Sequence, residues 1–506
     1  MGRSREELVQ DAFDMYDTDD YLSDLFFDLE KDNIKIVNSK TIYIWEDVLR
    51  IWRKRSKFPI KKISKSIEEH IKKIGQAISS KYQKLLETKG EDDDQTKLYQ
   101  KQINKLSSIN TAIQDNTKCK KVYSMAESLL TDEEFEDKLN QQQMLLPIRY
   151  NSVVDLRTGM TRARKREDMF TFEIPVEWNC HTKEDMDWVN NLILGLSNED
   201  VDVFNFMKVW LGYGITASVK EQKFLIIYGE NGSSGKSSLQ SLIQSCLGKF
   251  FAPVQKDVFL QGARSASQGQ TTFLMALKGK RQAWYSEIDE DTKLNESMIK
   301  QITGGDCVSG REMYGTADKF NPTFKLTFIT NHKPNITTDP ALKRRLMFLE
   351  NKIRFVPYKP NEKQYKQGER EMNKDIKDFC DNPTKGIKSA FLQFLVEGCM
   401  LWNSEGLVKY IPKEIEESTD KYSQEQDLLL KFVTEECELI QDEFDPRTWT
   451  MSSTLHDAFT KFCKGENKIA IGNNVMSRKL QAIKYQSLGV KFHRTNCSFF
   501  NLRTVL

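Results

Sequence analysis

The sequence predicts an α/β core, a parallel sheet covered by helices, set between a helical N-terminal region and a C-terminal region of helices with a β-like end. Three observations carry this reading. Residues 224–238, FLIIYGENGSSGKSS, read as an apolar strand, a glycine-rich loop and a helix opening at Gly235-Lys236-Ser237. From 223 to about 350 apolar strand-like runs alternate with helical stretches, the order that builds a parallel sheet. On either side, apolar residues recur mostly at three- to four-residue spacing.

Taken in chain order, residues 63–86 place Ile63, Ile67, Ile71, Ile74, Ile78 and Tyr82 on one helical stripe. The acidic run Glu91–Asp94 beside Gly90 marks a loop before a further helix, KLYQKQINKLSSINTAI. Between about 145 and 180, LLPIRYNSVVDLRTGMT and MFTFEIPVEW read as short β-like runs broken by polar turns. Helical spacing returns in MDWVNNLILGL and VFNFMKVWLGYGI, and again after Pro357 in AFLQFLVEGCMLW. The expected domains are a helical region over 1–135, a small mixed α/β domain over 136–205, a nucleotide-binding α/β domain over 206–356, and a C-terminal region over 357–506.

The length of 506 residues suits three or four domains, and 39% hydrophobic with 29% charged residues describes a soluble globular protein. A net charge of +2 conceals local patterning: residues 50–65 carry eight basic side chains and no acid. That run is expected to be a solvated helix face, although Trp45, Trp52 and Phe58 among the cations also suit single-stranded nucleic acid. Nine dispersed cysteines without a Cys-x-x-Cys pair argue against a zinc site and a disulfide framework. With no long apolar run and no signal-peptide core, the chain is expected to be soluble and intracellular, with no membrane partner.

The loop carries the chemistry. Backbone amides and the positive end of a helix cradle an anion; Lys236 reaches the β- and γ-phosphates of a nucleotide, and Ser237 holds magnesium. The cradle runs through Gly229, Glu230, Asn231, Gly232, Ser233, Ser234, Gly235, Lys236, Ser237 and Ser238. Its spacing is irregular: the strict motif needs glycine at Glu230, whereas the glycines stand at Gly229 and Gly232. Downstream, RQAWYSEIDED ends a strand at Glu287, with Asp289 next on the same side of an extended chain. KLTFITNHKP closes a strand on Asn331, an amide able to orient water or read a γ-phosphate, and DPALKRRLMFLE supplies Arg344 and Arg345. These groups follow Lys236 at intervals of 51, 44 and 14 residues, the last ending at Arg345.

This order of phosphate loop, acid, asparagine and arginine resembles the superfamily 3 helicases of DNA viruses, phages and plasmids. The stretch KLNESMIKQITGGDCVSGREMY resembles that superfamily's extra motif, and LPIRYNSVVDLRTGMT resembles a segment of its poxvirus, giant-virus and satellite-phage primase–helicase branch, with Ser152 where glycine is usual. The resemblance covers residues 140–506 and is strongest over 224–350. It implies an AAA+-like P-loop ATPase core and a winged-helix-like DNA-binding C-terminal domain, with ATP and Mg2+ as cofactors. Glu287 takes the place of the catalytic acid, Asp289 that of a candidate second metal ligand, and Asn331 that of the sensor. Arg345, with Arg344 as the fallback, stands for the finger that reaches a neighbouring subunit. Arg311 and Lys319 fall where the family's DNA-translocating hairpin lies.

What the resemblance implies is an ATP-dependent DNA helicase of viral, phage or plasmid replication, a hexameric ring on single-stranded or forked DNA beside a separate primase or polymerase. Its setting would be the host cytoplasm or a viral replication site. Two other classes stand beside it: an ATP-dependent origin-binding or loading factor without unwinding, and a P-loop phosphotransferase. The pair Asp17 and Asp19 is not expected to form a primase metal site, since acidic N-terminal helices are commonplace, and TNHKP lacks the aspartate of a guanine-reading motif.

Overall fold

The computed structural model describes residues 15–230, 232–254, 256–259, 273–286, 288, 292–311, 317–336, 339–357, 366–440, 449–466, 470–494 and 497–504. The chain divides into two compact units, residues 1–178 and 179–506. The boundary falls inside the segment expected to be one small mixed domain.

The first unit is not purely helical. Helix α1 (Asp19–Glu30) is followed by an antiparallel sheet of β1 (Ile34–Asn38), β2 (Thr41–Glu46) and β3 (Ile51–Arg55), and then by helices α2 (Lys61–Lys89), α3 (Asp94–Ala112) and α4 (Asn116–Leu129). The basic run therefore begins as a strand and only later enters a helix, which corrects the helix-face expectation. Trp45 pairs with Trp52 across β2 and β3, and both indoles are buried, so they stabilise the sheet and are not open for stacking on bases. Phe58 packs against the helical core and stacks on Tyr123 at 4.4 Å. The isoleucine stripe of α2 is buried from Ile63 to Ile78, and Gly90 ends the helix with φ +84. Strands β4 (Leu145–Ile148), β5 (Ser152–Asp155) and β6 (Thr161–Ala163) form an antiparallel sheet. MFTFEIPVEW forms no strand; single backbone bonds such as Ile174 to Pro147 tie it down.

The second unit opens with α5 (Lys183–Leu196), started by a Thr182–Asp185 capping box, and α6 (Val201–Gly214). The parallel sheet then comprises β7 (Phe224–Tyr228), β8 (Phe251–Val254), β9 (Gln282–Ser286), β12 (Lys325–Thr330) and β13 (Leu346–Glu350), in the spatial order β13-β7-β12-β9-β8. Helix α7 (Lys236–Leu247) follows β7, α8 (Glu296–Gly304) follows β9, and an antiparallel hairpin of β10 (Val308–Arg311) and β11 (Ala317–Phe320) precedes β12. Strands β7 and β12 are buried at every position, as central strands covered on both faces should be, and β12 buries even Lys325, whose ammonium donates to the Ser218 carbonyl. Thr330 lies opposite Tyr228, so the segments after β7 and β12 leave the sheet side by side at its carboxyl edge.

Beyond the sheet, β14 (Arg354–Val356) pairs in parallel with β15 (Glu369–Glu371), followed by α9 (Ile376–Asp381), α10 (Lys385–Glu405) and α11 (Lys413–Glu425). Helices α6 and α10 cross at glycines. A Cβ on Gly398 would lie 2.0 Å from the Lys208 carbonyl oxygen, and one on Gly212 would lie 2.2 Å from the Cys399 nitrogen. The C-terminal part has its own core. Helices α12 (Leu428–Glu435), α13 (Ser452–Gly465) and α14 (Asn473–Leu480) pack with β16 (Cys437–Leu439), β17 (Thr450–Met451), β18 (Phe492–Arg494), β19 (Ser498–Phe500) and β20 (Leu502–Thr504) around Phe432, Leu455, Met476 and Phe500. Among the described residues no helix is long and apolar enough to cross a membrane.

Candidate nucleotide site

The loop between β7 and α7 is shaped by backbone that most side chains resist. Gly232, Ser233 and Gly235 have φ of +64, +48 and +82, the left-handed region in which glycine is unstrained. Gly229 is required for another reason: a Cβ there would meet the Lys236 Nζ at 2.6 Å and the Ser234 Oγ at 3.0 Å. The turn delivers Lys236 to the first position of α7, where the first-turn amides have no partner within the helix.

Lys236 is buried, 7% exposed, and its Nζ donates to the Gly229 carbonyl at 3.3 Å, the Ser234 hydroxyl at 2.7 Å and the Asn331 Oδ1 at 3.1 Å. Two of the residues singled out in the sequence, 95 positions apart, thus meet directly. Burial pushes the Lys236 ammonium down to about 8, because the charged form loses hydration. An arriving phosphate would supply the missing countercharge. Ser237 is exposed and lines the cavity in front of the loop, as does Ser286 at the carboxyl end of β9; Ser238 is buried. Asn231, Glu287 and Asp289 lie outside the described residues.

Arg345 is only 9% exposed, and its guanidinium donates to the Ala341 carbonyl at 2.7 Å. Its neighbour Arg344 is exposed. The pair therefore divides into one arginine folded onto its own chain and one presented outward. Burial, and secondly the charge of Arg344, hold the Arg345 guanidinium below its ordinary value. On the β10–β11 hairpin, Val308 pairs with Phe320 on a buried face. Ser309 pairs with Lys319 on the other face, and Arg311, two residues on from Ser309, falls there too, so Arg311 and Lys319, both exposed, share it.

The loop faces a cavity of about 1210 Å³ whose remaining wall comes from residues outside the motifs. These are Trp188 and Leu192 of α5, Phe355 of β14, and the segment from Arg370 to Lys377. Arg370 pairs with Glu199, and Lys377 bonds Asp381 and the Ser241 hydroxyl of α7. In the sequence, MDWVNNLILGL signals only an amphipathic helix, and nothing in its period marks the face that lines a site.

Residues 20–193 match a family model described as "D5 N terminal like", and residues 227–345 match a family of unknown function, DUF5906. The protein named "Putative helicase L207/L206" of Acanthamoeba polyphaga mimivirus is 23% identical over 331 residues, 65% of this chain and 34% of the viral protein. The protein named "Putative primase C962R" of African swine fever virus (strain Badajoz 1971 Vero-adapted) is 27% identical over 256 residues, 49% of this chain and 26% of that protein. The chain thus spans about a quarter to a third of the length of these curated relatives. The solved C-terminal region of NrS-1 (305-718) aligns over 68% of this chain and 81% of its own at 11% identity, with a TM-score of only 0.38.

Proposed function

The chain fits the primase–helicase branch of large DNA viruses, and from that premise we propose that it is an ATP-dependent DNA helicase of viral replication. It would act as a ring oligomer, hexameric by family resemblance, on single-stranded or forked DNA, beside a separate primase or polymerase. The observation that carries this reading is Lys236, buried at the mouth of a large cavity and shared between the phosphate loop and Asn331.

In this reading the loop amides and Lys236 bind the β- and γ-phosphates, and Asn331 senses the γ-phosphate. Glu287 orients the attacking water for in-line displacement. Magnesium, held through Ser237 with Glu287 or Asp289, would neutralise charge on the phosphate oxygens. An arginine of the 344–345 pair would complete the site of a neighbouring subunit, and its exposure favours Arg344 over Arg345. The exposed face of the β10–β11 hairpin would carry Arg311 and Lys319 to the DNA backbone.

The order α12, β17, α13, α14 and the β18–β19 hairpin supports a winged-helix-like C-terminal domain. Exposed Arg478 on α14, with His493 and Arg494 on β18, also favours a second reading, a duplex-binding loading factor that does not unwind.

The test is ATP hydrolysis with and without single-stranded DNA, for wild type, Lys236→Ala, and equal mixtures of wild type with Arg344→Ala or Arg345→Ala. DNA should stimulate turnover, and the lysine variant should lose about a hundredfold or more. At least one arginine mixture should fall below the mean of its parents. Turnover indifferent to DNA, with both mixtures additive, would overturn the motor and leave a P-loop phosphotransferase or assembly ATPase.

A further inference from the structure

The cavity in front of the phosphate loop is larger than a triphosphate needs. Its volume of about 1210 Å³ exceeds the roughly 300–1,000 Å³ of ordinary ligand pockets. Part of its wall is apolar, with Trp188 and Leu192 from α5, Phe355 from β14 and Ile376 from α9, beside the polar Arg370, Asn373 and Lys374. The Trp188 ring lies 4.9 Å from that of Phe379, so α5 and α9 are packed together at this wall. Phe355 is tied to the loop itself, its amide donating to the Ser233 carbonyl at 2.8 Å. Its ring atoms lie 3.5 Å from where a Cβ on Gly195 would stand and 3.7 Å from one on Gly235, so two glycines frame the ring. The ring remains half-buried and lines the cavity.

We propose that this apolar compartment takes the purine base of the nucleotide, with Phe355 and Leu192 as its specificity-determining contacts and Lys374 and Lys377 at its polar rim. The inference rests on the phosphate-site reading above. A base has two apolar faces and gains by stacking on an aromatic ring, and a two-ring purine covers more of such a wall than a pyrimidine. The compartment adjoins the loop, and it is built from elements that flank the β7–β13 segment rather than from the motifs within it. Base recognition and phosphate recognition are therefore assigned to different parts of the chain.

Calorimetric titration of the full chain with magnesium-ATP, magnesium-CTP and inorganic tripolyphosphate separates the two. Wild type should bind ATP about tenfold or more tighter than CTP or tripolyphosphate. Leu192→Trp, which fills the compartment, and Phe355→Ala, which removes the ring, should each weaken ATP about tenfold while leaving tripolyphosphate within about twofold. Unchanged ATP affinity in both variants, or parallel loss of ATP and tripolyphosphate in both, overturns the base compartment. Lys236→Ala should lose tripolyphosphate as well. If it does not, or if wild type binds neither ligand, the phosphate site itself is wrong and the base assignment falls with it.

Discussion

Burial holds the Lys236 ammonium at about 8, below its unfolded value, and the sign of that shift fixes two expectations. Without ligand the folded state disfavours the charged lysine, so this group costs stability below about pH 8, and the cost is relieved as pH rises from 8 towards 10.5. Phosphate binding needs the charged form, so nucleotide affinity should fall about tenfold between pH 7 and pH 9. In Lys236→Arg, where the cation does not titrate, the residual affinity should be flat over that range; an equally flat wild-type profile would remove the lysine from phosphate binding. Gly229→Ala should abolish nucleotide binding with little change in melting temperature, because its Cβ strikes the flexible end of Lys236 rather than backbone. The sequence singled out Lys236, Ser237 and Asn331, which the fold brings to one cavity, because a glycine-rich turn into a helix restricts residue type locally. The unlike environments of Arg344 and Arg345 were not legible there, since two adjacent arginines differ only in which one the turn before β13 folds inward. Phe355 and Trp188 were invisible for a related reason: they reach the site through packing of elements far from the loop in sequence.

At the scale of elements, two mid-helix glycines should respond oppositely to alanine. Gly398 lies where α10 crosses α6, and a Cβ there would stand 2.0 Å from a backbone carbonyl, so Gly398→Ala should destabilise by about 1–3 kcal/mol or more. Gly75, inside α2, has nothing within 4 Å of its would-be Cβ, so Gly75→Ala should stabilise by roughly 0.5–1 kcal/mol. Denaturant unfolding of the two variants measures both, and equal signs would refute the packing account. For the hairpin, Arg311→Glu and Lys319→Glu should each weaken DNA binding and flatten its salt dependence by about one contact. Unaltered salt slopes would take this face off the DNA. The parallel sheet was readable because its strands are long apolar runs between turns. Strand β3 was not: Arg53, Lys54 and Arg55 are all exposed, so its outer half shows no period of two, and its place is given by its register with β2, from Ile42–Arg55 to Glu46–Ile51.

For the whole molecule, each unit has its own buried core, around Phe26, Ile67 and Val122 in the first and Leu326, Phe328 and Phe348 in the second. Calorimetry should resolve two transitions, and ATP at about a hundred times its dissociation constant should stabilise only that of residues 179–506, by about 2.7 kcal/mol. A single transition shifting as one would contradict this. The domain expectation drawn from texture placed a boundary on each side of 136–205, because β-like runs and helices alternate there. The two compact units part at residue 178, inside that segment.

The bond between Lys236 and Asn331 would make nucleotide entry an exchange of partners rather than an addition. A phosphate that claimed the ammonium would take this donor from the Asn331 oxygen, just past the end of β12, the strand that follows the β10–β11 hairpin. The strand itself would stay in place, held on both sides by its backbone pairing with β7 and β9, so occupancy would be registered in one released amide rather than in a displaced sheet.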